Sequence, residues 1–187
     1  QRQMCIRDRI KGLIAEYQQF VKSVSFVKRA VTLSDTFNYV FVGLRRVGKS
    51  YLMYQQIHHL IEIGISPEEI LFFNFEDERI AGMDTEHLDM IKRCYEEMYS
   101  HRPIFFLDEI QIVPHWEQFV RRLADQKYRV YVTGSNAKML SKDIATTLGG
   151  RFMIQYVYPF SFREYLSSNG VPVSYTHLRA HETDSYL

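Results

Sequence analysis

The 187-residue sequence is poor in several things, and each shortage excludes something. Two cysteines, Cys5 and Cys94, are too few for a disulfide framework and have no metal-ligand spacing. A reducing cytoplasm is therefore the expected setting. Five prolines and nine glycines exclude a collagen and a Pro/Gly-rich low-complexity chain. No apolar run reaches the roughly 18 residues of a membrane span, and no signal-peptide pattern is present, so no membrane partner is expected. Charge of one sign is not in excess either: 23 Lys and Arg stand against 22 Asp and Glu. A near-neutral chain offers no global electrostatic argument for nucleic acid or an anionic surface. What is present is 46% hydrophobic and 14% aromatic residues, a globular composition long enough to bury one core.

Periodicity organises the middle of the chain. Ile10, Leu13, Ile14, Tyr17, Phe20 and Val21 recur at helical spacing and predict an amphipathic helix over 10–30. Short apolar runs at 39–42, 70–75, 104–107, 129–132 and 152–158 predict five strands. Between them lie helical stripes over 49–63, 88–98, 116–123 and 137–148, plus one turn started by the capping-box sequence Ser66-Pro67-Glu68-Glu69. Strands alternating with helices, and apolar on both faces, predict an α/β fold with a parallel sheet covered on each side. The aromatic cluster Tyr156, Tyr158, Phe160 and Phe162 reads as core in preference to a base-stacking platform.

The strongest chemical signal is Gly43-Leu44-Arg45-Arg46-Val47-Gly48-Lys49-Ser50, leading into Tyr51. It matches G-x-x-x-x-G-K-[ST], with a strand before and a helix after. Glycines let such a loop curl so that backbone N–H groups face phosphate oxygens, and the helix N-terminus adds its positive end. Lys49 is placed to reach the β- and γ-phosphates and Ser50 to put its hydroxyl on Mg²⁺. Arg45 and Arg46 either face phosphate or a partner, or are solvated. The second signal is Ile104-Phe-Phe-Leu-Asp108-Glu109, an apolar strand delivering two acids at its C-terminal end. Asp108 suits Mg²⁺, and Glu109 suits a water-polarising base. A small-molecule kinase would not need Glu109. Third, Thr133-Gly-Ser135-Asn136 ends the fourth strand. Ser135 or Asn136 either touches the γ-phosphate or its water, or caps the next helix. Fourth, Arg151 follows Gly149-Gly150 and is either a charge-stabilising finger acting in trans or a surface arginine. Glu76 and Asp77 either assist the water or Mg²⁺ or form a solvated strand end, and the solvated end is the preferred reading.

Together, the strings GLRRVGKS, FNFED, FFLDEIQ with Trp-Glu soon after, VTGSN, and LGGRF followed by YPFSFREYL resemble a prokaryotic family of AAA-type P-loop ATP-binding proteins. The resemblance covers about residues 10–168 and implies a three-layer α/β/α P-loop fold with strand order 5-1-4-3-2. It also implies ATP and Mg²⁺ as ligands. Lys49 and Ser50 fall in the first motif, Asp108 and Glu109 in the second, Ser135 and Asn136 at the sensor-like polar end, and Arg151 at the arginine through which copies would associate. Mg²⁺-dependent hydrolysis to ADP and phosphate, driving movement in a larger protein, is the expected activity. A slow nucleotide-gated switch that recruits a protein or nucleic-acid partner is the alternative. Residues 1–9 and 173–187 show no period and resemble translated sequencing-adapter DNA at contig ends. The expected organisation is thus a non-native segment at 1–9, the ATP-binding domain with its N-terminal helix at 10–168, and a truncated linker with a non-native tail at 169–187.

Overall fold

The computed structural model describes residues 2–135 and 146–169. Asn136, most of the helix expected over 137–148, and the expected tail beyond 169 lie outside the described residues. Helix α1 spans Arg2–Ser23, strand β1 Asn38–Val42, α2 Lys49–Glu62, β2 Ile70–Asn74, α3 Thr85–Met98, β3 Ile104–Asp108, α4 Trp116–Asp125, β4 Val130–Gly134, β5 Phe152–Tyr156 and α5 Phe162–Ser168. Short 3₁₀ turns occupy Pro67–Glu69, Glu78–Ile80 and Ile110–Ile112.

The five strands form one sheet in the order β2-β3-β4-β1-β5, and every pairing is parallel. This is the 5-1-4-3-2 order expected of the P-loop fold. Parallel strands need covering on both faces, and the sequence supplies it: β3 and β4 are buried at every position. Tyr39 pairs in register with Tyr131, and Phe106 with the same Tyr131. The Phe106 and Tyr131 rings stack with centroids 4.5 Å apart, and Tyr39 stacks on Tyr131 at 5.9 Å. Such a ladder favours this register over a slip, each aromatic pair contributing roughly 0.5–1.5 kcal/mol beyond its area.

Local signals set the helix ends. Ser66 and Glu69 form the predicted capping box. Asp84 caps α3 by accepting the Glu86 and His87 N–H groups. Gly64, at φ 100°, follows the end of α2 as the spacing predicts. Two boundaries and one burial differ. The first helix begins at Arg2, so residues 2–9 are helical, with Ile6 packed on the core. That helix stops at Ser23 and not near residue 30, because Phe26, Val27 and Arg29 turn away to line a cavity beside the phosphate loop. The aromatic cluster predicted as core is exposed instead: Tyr158 and Phe162 are 68% and 67% accessible. The reason is position, since β5 is an edge strand and the residues after it leave the sheet.

Candidate active site

Strand β1 ends at Val42, and the chain turns at once into Gly43. A Cβ on Gly43 would lie 2.3 Å from the carbonyl oxygen of Val157, which follows β5 and donates its N–H to Val42 O. Only glycine lets the loop pass that backbone. Arg46 and Gly48 adopt left-handed φ values of 63° and 93°, the curl the motif predicts. Gly48 is then the N-cap of α2, with no side chain between the helix N-terminus and the space in front of it. That space is a cavity of about 750 Å³ lined by Arg45, Arg46, Gly48, Lys49, Ser50, Tyr51, Glu76 and Glu109.

The chemistry-bearing side chains gather at and directly behind this cavity from three strands. Lys49 is 4% accessible. Its Nζ donates to Leu44 O at 3.0 Å and stands 3.4 Å from Glu109 Oε1. Ser50 Oγ donates to Asp108 Oδ1 at 3.0 Å. Strand β4, the neighbour of β3, adds Thr133, whose hydroxyl donates to the same Asp108 Oδ1 at 2.5 Å and accepts the Glu109 N–H at 2.8 Å. Ser135 Oγ donates to Glu109 Oε2 at 3.0 Å. Glu109 itself sits in left-handed backbone, φ 52° and ψ 39°. A non-glycine residue held there stores strain of order 1–3 kcal/mol and survives only where its surroundings over-determine it.

Burial pushes the Asp108 carboxyl up to about 6, with the Glu109 charge adding to the push and Thr133, Ser50 and Lys49 pulling against it. A buried carboxylate short of cationic compensation, with a hydroxyl oxygen 3.0 Å away, is a hard-oxygen donor pair of the kind Mg²⁺ takes. The residues present fit that ion.

Arg45 pairs with Glu76 at 2.7 Å across the exposed lip of the cavity, so Glu76 borders the site and is more than a solvated strand end. Asp77 does not; it binds Tyr17 and Arg79. Arg151 is not brought to the site. It precedes β5, at the N-terminal edge of the sheet, where its Nε donates to Asp125 Oδ1 at 2.5 Å. About 16 Å of five-residue strand separates it from the loop edge.

Two contributors were missed in the sequence. Thr133, beside the expected Ser135 and Asn136, carries a readable signal as a threonine closing the strand next to β3. Arg29 had no signal, because its partners are distant in the chain. Its guanidinium, 8% accessible, pairs with Glu164 at 2.9 Å and donates to Val47 O at 3.2 Å and Tyr158 O at 2.9 Å. It ties the phosphate loop to both flanking segments. These hydrogen bonds hold the Glu164 carboxyl below its usual range.

A glycine-rich loop at the C-terminal edge of an all-parallel five-stranded sheet, with Lys49 and Ser50 facing an Asp-Glu pair, defines a P-loop nucleotide-binding domain of the ATPase type. Residues 36–166 match the AAA domain family, and the chain belongs to it. It is 33% identical over 156 residues to an uncharacterized protein of Methanocaldococcus jannaschii, MJ1544, covering 82% of this chain and 34% of that one. It is 36% identical over 151 residues to an uncharacterized protein of Haemophilus influenzae, covering 79% of this chain and 38% of that one. The chain thus spans little more than a third of these curated relatives. Among solved structures, the Aeropyrum pernix ORC1 protein in complex with DNA aligns with 15% identity and a TM-score of 0.44, over 88% of this chain and 49% of that one. Among the described residues, no helix is long and apolar enough to cross a membrane.

Proposed function

We propose that this domain binds ATP with Mg²⁺ and hydrolyses it to ADP and phosphate, driving a conformational change in a larger cytoplasmic protein. The observation that carries this reading is the convergence of Lys49, Ser50 and Glu109 on one cavity, with the buried Asp108 bonded to Ser50 behind it. The backbone of 44–48 and the start of α2 take the phosphates. Lys49 exchanges a neutral carbonyl partner, Leu44 O, for charged phosphate oxygens, a stronger hydrogen bond. The neighbouring apolar cavity of about 600 Å³, lined by Phe26, Val27, Tyr51 and Phe160 among others, takes the base.

Ser50 and Asp108 would hold Mg²⁺, which when bound neutralises charge on the phosphates and the leaving diphosphate. Glu109 orients a water and accepts its proton as the water oxygen bonds to the γ-phosphorus. The bond from that phosphorus to the bridging oxygen breaks, leaving ADP, and Glu109 returns the proton to solvent. Ser135 acts as the sensor-like polar group, supported by its contact with Glu109; Asn136 is its expected companion. Arg151 faces away from its own site, so a finger role requires a second copy that presents Arg151 to the neighbour's nucleotide.

The test is turnover. The purified chain should bind ATP and release phosphate only with Mg²⁺, and Lys49→Ala should do neither. Glu109→Gln should keep ATP binding and lose release; equal loss of both would remove the water-polarising role. A second reading, a slow nucleotide-gated switch recruiting a protein or nucleic acid, is favoured by Glu109 being held by Lys49 and Ser135 at once. ATP binding without phosphate release above Lys49→Ala would decide for it.

A further inference from the structure

The residue that holds Glu109 most closely lies two positions past the acidic pair and is given no role by either motif. Gln111 lies on the 3₁₀ turn Ile110–Ile112, anchored by the fully buried Ile110. The turn doubles the side chain back, and Gln111 Nε2 donates to Glu109 Oε2 at 2.5 Å. The amide orientation is settled chemically, since the reverse would set two oxygens against each other. The other amide atom, Gln111 Oε1, is buried and has no hydrogen-bond partner among the described residues.

The two oxygens of Glu109 are thereby divided. Oε2 takes two neutral donors, Gln111 Nε2 and Ser135 Oγ. Among the described residues, Oε1 faces only Lys49 Nζ, at 3.4 Å. If Lys49 moves onto phosphate, Oε1 loses its partner while Oε2 keeps both of its own. We propose that Gln111 is a positioning residue that pins Glu109 through Oε2, so that Oε1 is the oxygen released to the reacting water when nucleotide draws Lys49 away. The proposal rests on the water-polarising reading of Glu109 and adds to it the residue that aims the carboxylate. Gln111 touches neither nucleotide nor water in this scheme. Its work is to keep the left-handed Glu109 in one rotamer through both states of Lys49.

The experiment compares Gln111→Met, which keeps the length and removes both polar atoms, with Gln111→Glu, which keeps the shape and replaces the donor by an acceptor. Steady-state hydrolysis and equilibrium ATP binding are measured for each, alone and combined with Glu109→Gln. Both variants should bind ATP within about threefold of the native chain and leave KM within the same range. Their kcat should fall roughly 10–100-fold, the usual cost of removing a group that orients a reacting one. Added to Glu109→Gln, neither should lower the rate further. Native kcat in either variant while Glu109→Gln is inactive would overturn the proposal. So would a kcat loss that multiplies with that of Glu109→Gln, or a fall in ATP binding parallel to the fall in rate. Full turnover in Glu109→Gln itself would remove the underlying reading, a different and separately visible failure. If Gln111→Met does not fold, the isosteric Gln111→Glu decides alone.

Discussion

Replacing Arg29 by alanine removes the contacts that tie the phosphate loop to both of its neighbours. The side chain makes two donations to Glu164, at 2.9 and 3.4 Å, one to Val47 O at 3.2 Å and one to Tyr158 O at 2.9 Å. The backbone bonds of Arg29 to Gln55, at 2.7 and 3.0 Å, survive the substitution. Breaking a buried ion pair by deleting one partner costs about 3–5 kcal/mol. Here the stranded Glu164 is 18% accessible and keeps the Ser161 N–H and hydroxyl, at 2.8 and 2.9 Å, which places the loss at the lower end. Two carbonyls also lose a donor, at about 1 kcal/mol each, with water free to replace part of that. The sum is about 3–4 kcal/mol, or a fall in Tm of roughly 10 °C for a chain of this size. Equilibrium urea unfolding should show it as a lower midpoint at unchanged slope. Because Val47 O lies inside the loop, ATP affinity should fall as well, by about tenfold or 1.4 kcal/mol. Glu164→Gln, which keeps neutral acceptor and donor atoms near the guanidinium, should lose less on both counts. Stability within about 0.5 kcal/mol of native together with native ATP affinity in Arg29→Ala would refute the reasoning.

The remaining predictions concern pH, the metal carboxylate and the loop glycines. Arg29 holds the Glu164 carboxyl below its ordinary value of 4.5, so the stabilisation is present above that pH and is lost as pH falls through the depressed folded value. The stability gap between native and Arg29→Ala should be level from neutral pH to about 5 and narrow on further acidification to the share of the Val47 and Tyr158 carbonyl bonds; a gap unchanged at low pH would mean that packing and not charge supplies it. Asp108 has the opposite sign: burial raises its carboxyl from 3.8 to about 6, so its contribution is favourable in acid and lost as pH rises through that range. In EDTA, Asp108→Asn should therefore unfold later than native at pH 7.5, by about 2–3 kcal/mol, and alike near pH 4, while losing Mg²⁺-dependent turnover. Calorimetry at the two pH values checks it, and a variant less stable at pH 7.5 contradicts it. Gly43→Ala places a methyl 2.3 Å from Val157 O and should cost about 1–3 kcal/mol with loss of nucleotide binding. Gly48→Ala has room, its nearest neighbour being Arg29 Nη1 at 3.8 Å, and should pay only the left-handed strain of about 1 kcal/mol. Equal damage at the two glycines, read by thermal unfolding, would sink the steric argument at Gly43.

What could be read from residues alone was whatever one short stretch of chain determines. Gly43 to Ser50 is such a stretch, because eight consecutive residues make the curl, the helix N-terminus and the two side chains that face phosphate. Asp108 and Glu109 were legible for the same reason: a buried five-residue strand ends on them, and its period and length are local properties. The strand order, by contrast, followed from the family resemblance and was then found in the pairing of β2-β3-β4-β1-β5. The exposure of Tyr158 and Phe162 is not legible in the sequence because aromatic content is the same whether a strand is central or at an edge. Only the neighbour decides, and among the described residues β5 has β1 on one side only. Arg151 could be named but not placed, since which end of a strand a residue occupies relative to the loop depends on the direction of pairing. Thr133 reaches Asp108 and Ser135 reaches Glu109 because β3 and β4 run side by side, a contact between residues about 25 positions apart. Arg29 and Glu164 meet across 135 positions. The sequence by itself determined the chemical groups and the loop that curls around phosphate, since these depend on covalent neighbours and backbone preference. The tertiary structure alone decided which oxygen of Glu109 is held, what braces the loop and which arginine is near it, because those depend on through-space distances that chain closure sets.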